Sequence, residues 1–442
     1  VKVHYLGTAY SDRAHDRCAA YVRSLQAQHM DGNGWSDIGY CVDEDTEILT
    51  GDGWKTYGDV RPGDLALTLD HETGASRWQP IEDVYVFPAR EREMIRMEGA
   101  GHSSLTTPQH RWPVERMPRR TGAGRQQDPD GTRRATGRSP RSQQGRERTW
   151  ATTETLTHGD RIPIAAPPGD LPDTPKWSDA FVELMGWFCA EGRIKPQSRG
   201  RAPSTGVAIH QSDETNPENV TRIRTALRQA FGQPVGRFPR PSGTTDGVPR
   251  WREATSRGLV GFHLSADAGR LLIEQAPDRV PRVAFLRRLT RAQLTLFIEV
   301  SMLGDGHEGT GGVHLSHSSR ASAGAFQIAM ILAGRAASLR PGRPASATGT
   351  AGWTVTAREQ AFLSPRAAAR RDALSITRER YAGRVWCVRT PDATWLARRN
   401  GTVYFTGNSF VVCTHGSVYE GRGLRRRNSA NGNTSLNEAH YA

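Results

Sequence analysis

Three sets of residues in this 442-residue chain have types and spacings that chemistry can use. The first is the pair Asn408-Ser409. An asparagine side-chain amide can attack its own backbone carbonyl, close a succinimide and release the chain beyond it. A hydroxyl at the next position can accept an acyl group. The second set is five cysteines, Cys18, Cys41, Cys189, Cys387 and Cys413, with no close C-x-x-C pairing. That spacing argues against a zinc ribbon or a dense disulfide framework, so reduced thiols are expected. The third is two apolar segments, ELMGWFCAEG (183–192) and LFIEVSMLGDG (296–306), each reading as a helix that ends in a small residue, an acid and a glycine.

The outer segments set the boundaries. Residues 1–40 read as a strand over 1–5, then a helix capped by Ser11 whose apolar side includes Cys18, Tyr21, Val22 and Leu25. Residues 409–421, SFVVCTHGSVYEG, read as two short strands around a His415-Gly416 turn. Joined directly, SDIGY and SFVVC make one uninterrupted strand. As they stand, 368 residues separate them, a very large loop for a compact domain. The joined outer text resembles the peptidoglycan-recognition family of zinc-dependent N-acetylmuramoyl-L-alanine amidases. The resemblance implies an α/β zinc amidase domain acting on cell-wall peptidoglycan, with His4 as a Zn2+ ligand and Tyr40 as the active-site tyrosine beside the metal-bound water. Zinc hydrolysis needs three protein ligands and an open position. The family's remaining ligands would fall beyond Ala442, so the rejoined fragment is expected to be inactive by itself.

The interruption begins CVDEDTEILTGDGWKTYGDVRPGDLALT at Cys41 and ends VYFTGNS. Both ends resemble inteins and the wider Hint fold, which implies a β-rich horseshoe built from 41–116 and 375–408. LTTPQHRW resembles the internal intein motif, and by that resemblance Thr107 and His110 hydrogen-bond and protonate the Tyr40-Cys41 peptide group. RVWCVRTPDATWLARRNG places Cys387 where many inteins have Asp. With Trp112 and Thr406 it matches the triad of the class 3 inteins, in which the internal cysteine attacks the upstream junction itself. Two first nucleophiles, Cys41 and Cys387, therefore stand open, with the balance toward Cys387. The implied sequence is acyl transfer from Tyr40 to one of them, then to Ser409, then cyclisation of Asn408, with no cofactor. Two departures concern the last step: Gly407 stands where many inteins have His, and the DATWLA stretch lacks a second His. The rival reading is a degenerate or cleavage-only Hint domain within a DNA-binding, non-splicing amidase precursor.

The two apolar segments resemble the paired helices of LAGLIDADG homing endonucleases, with 114 positions between Glu191 and Asp305. Gly186 and Ala190, four apart, would let two helices approach closely. The resemblance makes Glu191 and Asp305 ligands of Mg2+ in the cleavage of double-stranded DNA. Val300, where the family favours Gly, and Met302 are expected to loosen the helix interface. Arg193, Lys195, Arg199 and Arg201, just after the first helix, are expected to contact phosphates.

The net charge of +13 fits a polyanionic partner. Ten arginines against three acids lie between Arg116 and Arg148, so a solvated insert accounts for the excess equally well. No apolar run approaches the ~18 residues of a membrane span. The chain opens on Val1 without a signal pattern, both ends read as cut from something longer, and the precursor is expected to be cytoplasmic. The fold class expected is mixed: amidase fragments at 1–40 and 409–442, Hint parts at 41–116 and 375–408, a basic linker at 117–149 and an α/β endonuclease region at 150–374.

Overall fold

The computed structural model describes residues 41–117, 146–195, 206–238, 246–309, 312–342, 352–366, 374–407, 410–412 and 418–420. The readings for residues 1–40, for Asn408-Ser409 and for most of the basic segment lie outside these residues.

Short strands punctuated by Gly-Asp and Pro-Gly turns dominate residues 41–117 and 374–407. In LALTL (Leu65–Leu69) four of five side chains are buried, as in a strand covered on both faces. Gly63 follows Pro62 at φ +91, a backbone that closes the Arg61–Asp64 turn and that a side chain would strain. The strands form antiparallel sheets in which the two ends interleave. In one, Val42–Asp43 lies between His102–Thr106 and Val385–Arg389, with Val42 opposite both Thr106 and Trp386. In a second, Glu47–Thr50 pairs with Thr394–Arg399, which pairs in turn with Thr402–Gly407. The connecting turn, Asn400-Gly401, has φ of 46 and 74, as a two-residue Asn-Gly hairpin requires.

The domain boundaries drawn from sequence shift here. Glu147–Thr152 and Asp160–Pro163 flank Arg111–Arg116 in a third sheet, and Phe362–Leu363 extends it. Residues 147–163 therefore belong with the strand-rich part, not with the region beginning at 150. The reason is pairing: Arg111–Arg116 needs partners on both edges, and the chain supplies them after the basic segment.

The helical unit starts at Asp179, capped by the Ser178 hydroxyl, which accepts from the Phe181 amide at 3.2 Å. It consists of two similar passes. Asp179–Glu191 leads into strands Gly192–Lys195 and Gly206–Ser212, helix Pro217–Phe231 and strands Trp251–Ser256 and Leu259–Leu264. Arg291–Asp305 leads into Gly306–Gly309 and Gly312–His317, helix Arg320–Leu332 and strands Ala336–Pro341 and Trp353–Arg358. Each four-stranded sheet has the same order, first-second-fourth-third.

The two leading helices pack at closest approach. A Cβ on Gly186 would lie 2.8 Å from Val300 Cγ1, and one on Gly304 would lie 2.6 Å from the Ala190 Cβ. The expectation that Val300 loosens this interface is overturned. Val300 is fully buried, and its methyl groups fill the space that glycine leaves across the interface. Arg222 ties the pair from outside, donating to Glu183 at 2.5 Å and to Glu299 at 2.8 Å. Residues 410–412 and 418–420 form a small antiparallel pair, Phe410 opposite Glu420 and Val412 opposite Val418; the turn expected at His415-Gly416 lies outside the described residues.

A buried ion pair locks the strand-rich part. Arg399 Nε donates to both carboxylate oxygens of Asp43, at 3.1 and 2.9 Å, and its Nη1 donates to Ser103 at 2.9 Å. Asp43 is fully buried and Arg399 nearly so. Removing one partner leaves the other charge uncompensated. Arg399→Met is thus expected to cost about 3–5 kcal/mol, and the double variant Asp43→Leu, Arg399→Met to recover most of that loss, read as shifts in the denaturation midpoint.

Candidate functional site

Cys41, Thr107, His110, Trp112, Cys387 and Thr406 come from distant segments and meet in one buried region. Cys41 is fully buried in a small cluster with Met94, Leu105 and Val385. Its amide N–H donates to the Thr107 hydroxyl at 3.2 Å, and its carbonyl accepts from the Thr107 amide at 3.1 Å. That N–H belongs to the Tyr40-Cys41 peptide bond. Across the sheet, half-buried Cys387 lies with its sulfur 3.9 Å from the Cys41 sulfur.

The His110 ring hydrogen-bonds through Nε2 to the Thr406 hydroxyl. Its ring stands edge-on to Trp112, centroids 5.1 Å apart. The Trp112 indole N–H donates to Thr153 at 2.8 Å, and Thr153 also bonds the Thr106 hydroxyl at 2.9 Å. Thr153 was missed by the sequence reading, having no motif; it becomes part of the site only because Glu147–Thr152 pairs with Arg111–Arg116.

The glycine before the terminal asparagine has a steric reason. A Cβ on Gly407 would stand 2.7 Å from Trp150 Cζ3 and 3.0 Å from the Arg111 carbonyl oxygen. Trp150 is held there by the Arg111 guanidinium, 4.0 Å from its ring, and by His71, 4.9 Å away centroid to centroid. No histidine side chain fits at 407 while Trp150 stays in place. Tyr40, Asn408, Ser409 and His4 lie outside the described residues.

The second constellation is at the C-terminal ends of the paired helices, where backbone carbonyls concentrate negative potential. Glu191 and Asp305 are the last residues of Asp179–Glu191 and Arg291–Asp305. Burial and the Glu191 charge together push Asp305 up to about 6, against the pull of Arg279. Burial also raises Glu191, again opposed by Arg279. Arg279, which the sequence reading missed, donates to the Ala190 carbonyl at 3.2 Å. It follows Asp278, and both have left-handed backbones, φ 65 and 50, which cost energy in residues other than glycine. A cavity of about 20 Å³, room for one water, is lined here by Cys189, Ala190, Arg279, Ser301, Asp305 and His317. Burial pushes the Cys189 thiol up to about 12, so it is no nucleophile at neutral pH.

Among the described residues no group of three or more His, Cys, Asp or Glu converges as metal ligands. Two carboxylates that repel one another, with Arg279 balancing only part of their charge, suit a Mg2+-type ion that takes its remaining ligands from water and phosphate. Of the four basic residues expected to meet phosphates, Arg193 is exposed on the strand after the first helix; Arg199 and Arg201 lie outside the described residues, as does the side chain of Lys195.

No family model matches the chain. It is 36% identical over 95 residues to peptidoglycan-recognition protein SC1a/b of Drosophila simulans, covering 20% of this chain and 49% of that protein. It is 42% identical over 59 residues to the N-acetylmuramoyl-L-alanine amidase of Homo sapiens, covering 13% of this chain and 9% of that protein. The chain thus spans about half the length of the Drosophila relative. Among solved structures, I-DmoI in complex with DNA and Ca matches with a TM-score of 0.30 at 8% identity, over 41% of this chain and 83% of that one. Mesophilic variants of the homing endonuclease I-DmoI match with the same TM-score at 10% identity.

The Asp305 carboxyl sets a pH dependence. Folded, it keeps its proton up to about pH 6, whereas in the unfolded chain it ionises near 4, so the stability it contributes is lost as pH rises through 6. Asp305→Asn is expected to stabilise the metal-free fold at pH 8 by on the order of 1 kcal/mol, after allowance for its partial exposure, and to leave it unchanged at pH 4. Thermal melts at the two pH values check this.

Proposed function

We propose that residues 41–408 excise themselves from the chain and join Tyr40 to Ser409, and that the helical unit within them cuts double-stranded DNA. The observation that carries the first part is the convergence of Cys41, Thr107, His110, Cys387 and Thr406 in one buried site. Segments up to 346 residues apart meet there beside the first residue of the insert.

The chemistry follows from the contacts. The Thr107 hydroxyl holds the N–H of the Tyr40-Cys41 bond at 3.2 Å and fixes the orientation of the scissile amide. A cysteine sulfur attacks the Tyr40 carbonyl carbon, the C–N bond breaks, and the leaving nitrogen takes a proton from His110. Thr406 and the Trp112 ring hold that imidazole in place. The acyl group then passes to the Ser409 hydroxyl. Asn408 cyclises to a succinimide and releases the insert, and the Tyr40-Ser409 ester rearranges to a peptide bond. No cofactor takes part.

In the helical unit Glu191 and Asp305 would hold a divalent cation such as Mg2+, whose chemistry is to activate water and stabilise the leaving oxygen of a phosphodiester. The observation supporting this is their common position at two tightly apposed helix ends, where burial and the Glu191 charge raise Asp305. Arg279 supplies a fixed positive charge for the phosphate. The flanking segments, by their likeness to peptidoglycan-recognition proteins, belong to a host protein acting on peptidoglycan, with Zn2+ and His4 in its complete form.

Gly407 favours a second reading, a cleavage-only element, because Trp150 fills the place of a side chain that would assist Asn408. The products separate the two. Expressed under reducing conditions, the chain is expected to give a 368-residue insert and a joined 74-residue product, the latter absent in Asn408→Ala. Unjoined fragments would select the cleavage-only reading, and intact precursor would sink both. The excised insert is also expected to linearise, with Mg2+, a plasmid carrying the host coding sequence without the insert. Asp305→Asn should abolish that cut; a cut that survives it or persists in chelator would remove Asp305 from the chemistry.

A further inference from the structure

The two sulfurs that the sequence offers as alternative nucleophiles are close enough to pass an acyl group from one to the other. Cys41 Sγ and Cys387 Sγ lie 3.9 Å apart, and the positions of both are fixed. Cys41 is clamped at its amide and its carbonyl by Thr107. Cys387 is on a strand paired on both sides, with Trp386 opposite Val42 and Cys387 opposite Tyr85. We infer that they act in series, as a thioester relay in which Cys41 takes the acyl group from the peptide bond and Cys387 takes it from Cys41. This rests on the self-excision reading above and adds a step to it.

Each sulfur suits one step. Cys41 belongs to the scissile bond, so its sulfur reaches the Tyr40 carbonyl through a five-membered ring, with no separate positioning of the reactants. The amide is resonance-stabilised and needs that advantage, together with the Thr107 contact and a proton from His110. Once the acyl group is on Cys41, the bond to be broken is a thioester. It lacks amide resonance, and it expels a thiolate rather than an amine. Its carbonyl carbon is then one bond from Cys41 Sγ and within reach of a sulfur 3.9 Å from that atom. Cys41 is fully buried in an apolar cluster, whereas Cys387 is half-buried, so the second step moves the acyl group toward the outside, where a further acceptor can reach it.

The steps balance without an oxidant. In the first, the C–S bond to Cys41 forms, the C–N bond breaks, and the proton lost by the thiol is made good on the nitrogen through His110. In the second, the Cys387 thiolate adds to the same carbon, the bond to Cys41 breaks, and Cys41 takes up the proton that Cys387 gave up. The Ser409 hydroxyl oxygen then bonds the same carbon, the bond to Cys387 breaks, and the Cys387 thiolate takes up the proton that the hydroxyl gave up.

The test uses the full chain with Asn408→Ala and Ser409→Ala, so that acyl groups stop on sulfur, and a phosphine reductant that does not cleave thioesters. A branched species is expected, with Tyr40 esterified to Cys387 and Cys41 as a free amino terminus. Cys387→Ala should lose the branch yet keep a hydroxylamine-sensitive bond at Cys41. Cys41→Ala should lose the branch, and Cys41→Ser, nearly isosteric and expected to keep the fold, should form it more slowly. A branch forming at the original rate in Cys41→Ser would mean direct attack by Cys387, overturning the relay but keeping self-excision. Cys387→Ala splicing at the original rate with Asn408 and Ser409 restored would also overturn the relay alone. No hydroxylamine-sensitive bond at either cysteine in any variant would overturn the self-excision reading, and the relay with it.

Discussion

The arrangement of the strand-rich part depends on the buried pair Asp43–Arg399. Val42–Asp43 is a strand of only two residues, too short to hold its place by ladder hydrogen bonds alone. The carboxylate of Asp43 fixes it, bonded by an arginine 356 residues later in the chain. Cys41 precedes that strand, and Arg399 stands at the turn into the strand that ends with Thr406 and Gly407. One ion pair thus ties the strand that follows Cys41 to the hairpin that ends at Gly407. Burying it is costly unless its hydrogen bonds are complete, and Ser103 and Thr46 complete them.

The helical unit is built into this arrangement rather than hung from it. Gln327 on helix Arg320–Leu332 donates to the Gly401 carbonyl at 3.0 Å and accepts from Arg398 at 3.0 Å, while the Leu339 amide bonds the same Gly401 carbonyl. A Cβ on Gly401 would strike the Leu339 carbonyl oxygen. Leu49, Leu67, Leu396, Val403 and Phe405 share one apolar cluster with the helices. The hairpin that carries Thr406 is therefore supported from behind by the helical unit, and loss of packing there would be felt at the site that holds His110 and Thr406.

The two sites use opposite environments. The thiols lie in an apolar cluster, where the Thr107 hydroxyl meets the Cys41 amide and each sulfur faces the other. The carboxylates lie at helix ends where negative potential accumulates, and one strained arginine answers it. In each site the polar partner comes from a segment that the chemistry-bearing motifs do not include: Thr153 in the first, Arg279 in the second.

Much of this was legible in the sequence, because local rules wrote it there. Strand spacing, the Asn400-Gly401 turn and small residues four apart in the paired helices follow from backbone geometry and the helical period, whereas Cys41, Thr107, His110, Cys387, Glu191 and Asp305 were singled out by the resemblance of their surroundings to known motifs. The tertiary structure alone decided the separation of the two sulfurs, the identity of Thr153 as the partner of Trp112 and the return of residues 147–163 to the strand-rich sheet. It also decided why Gly407 carries no side chain and why Val300 tightens rather than loosens its interface. Each of these depends on what stands opposite a residue across a sheet or a helix pair. That is set by contacts between segments remote in the chain, about which residue type and local spacing hold no information.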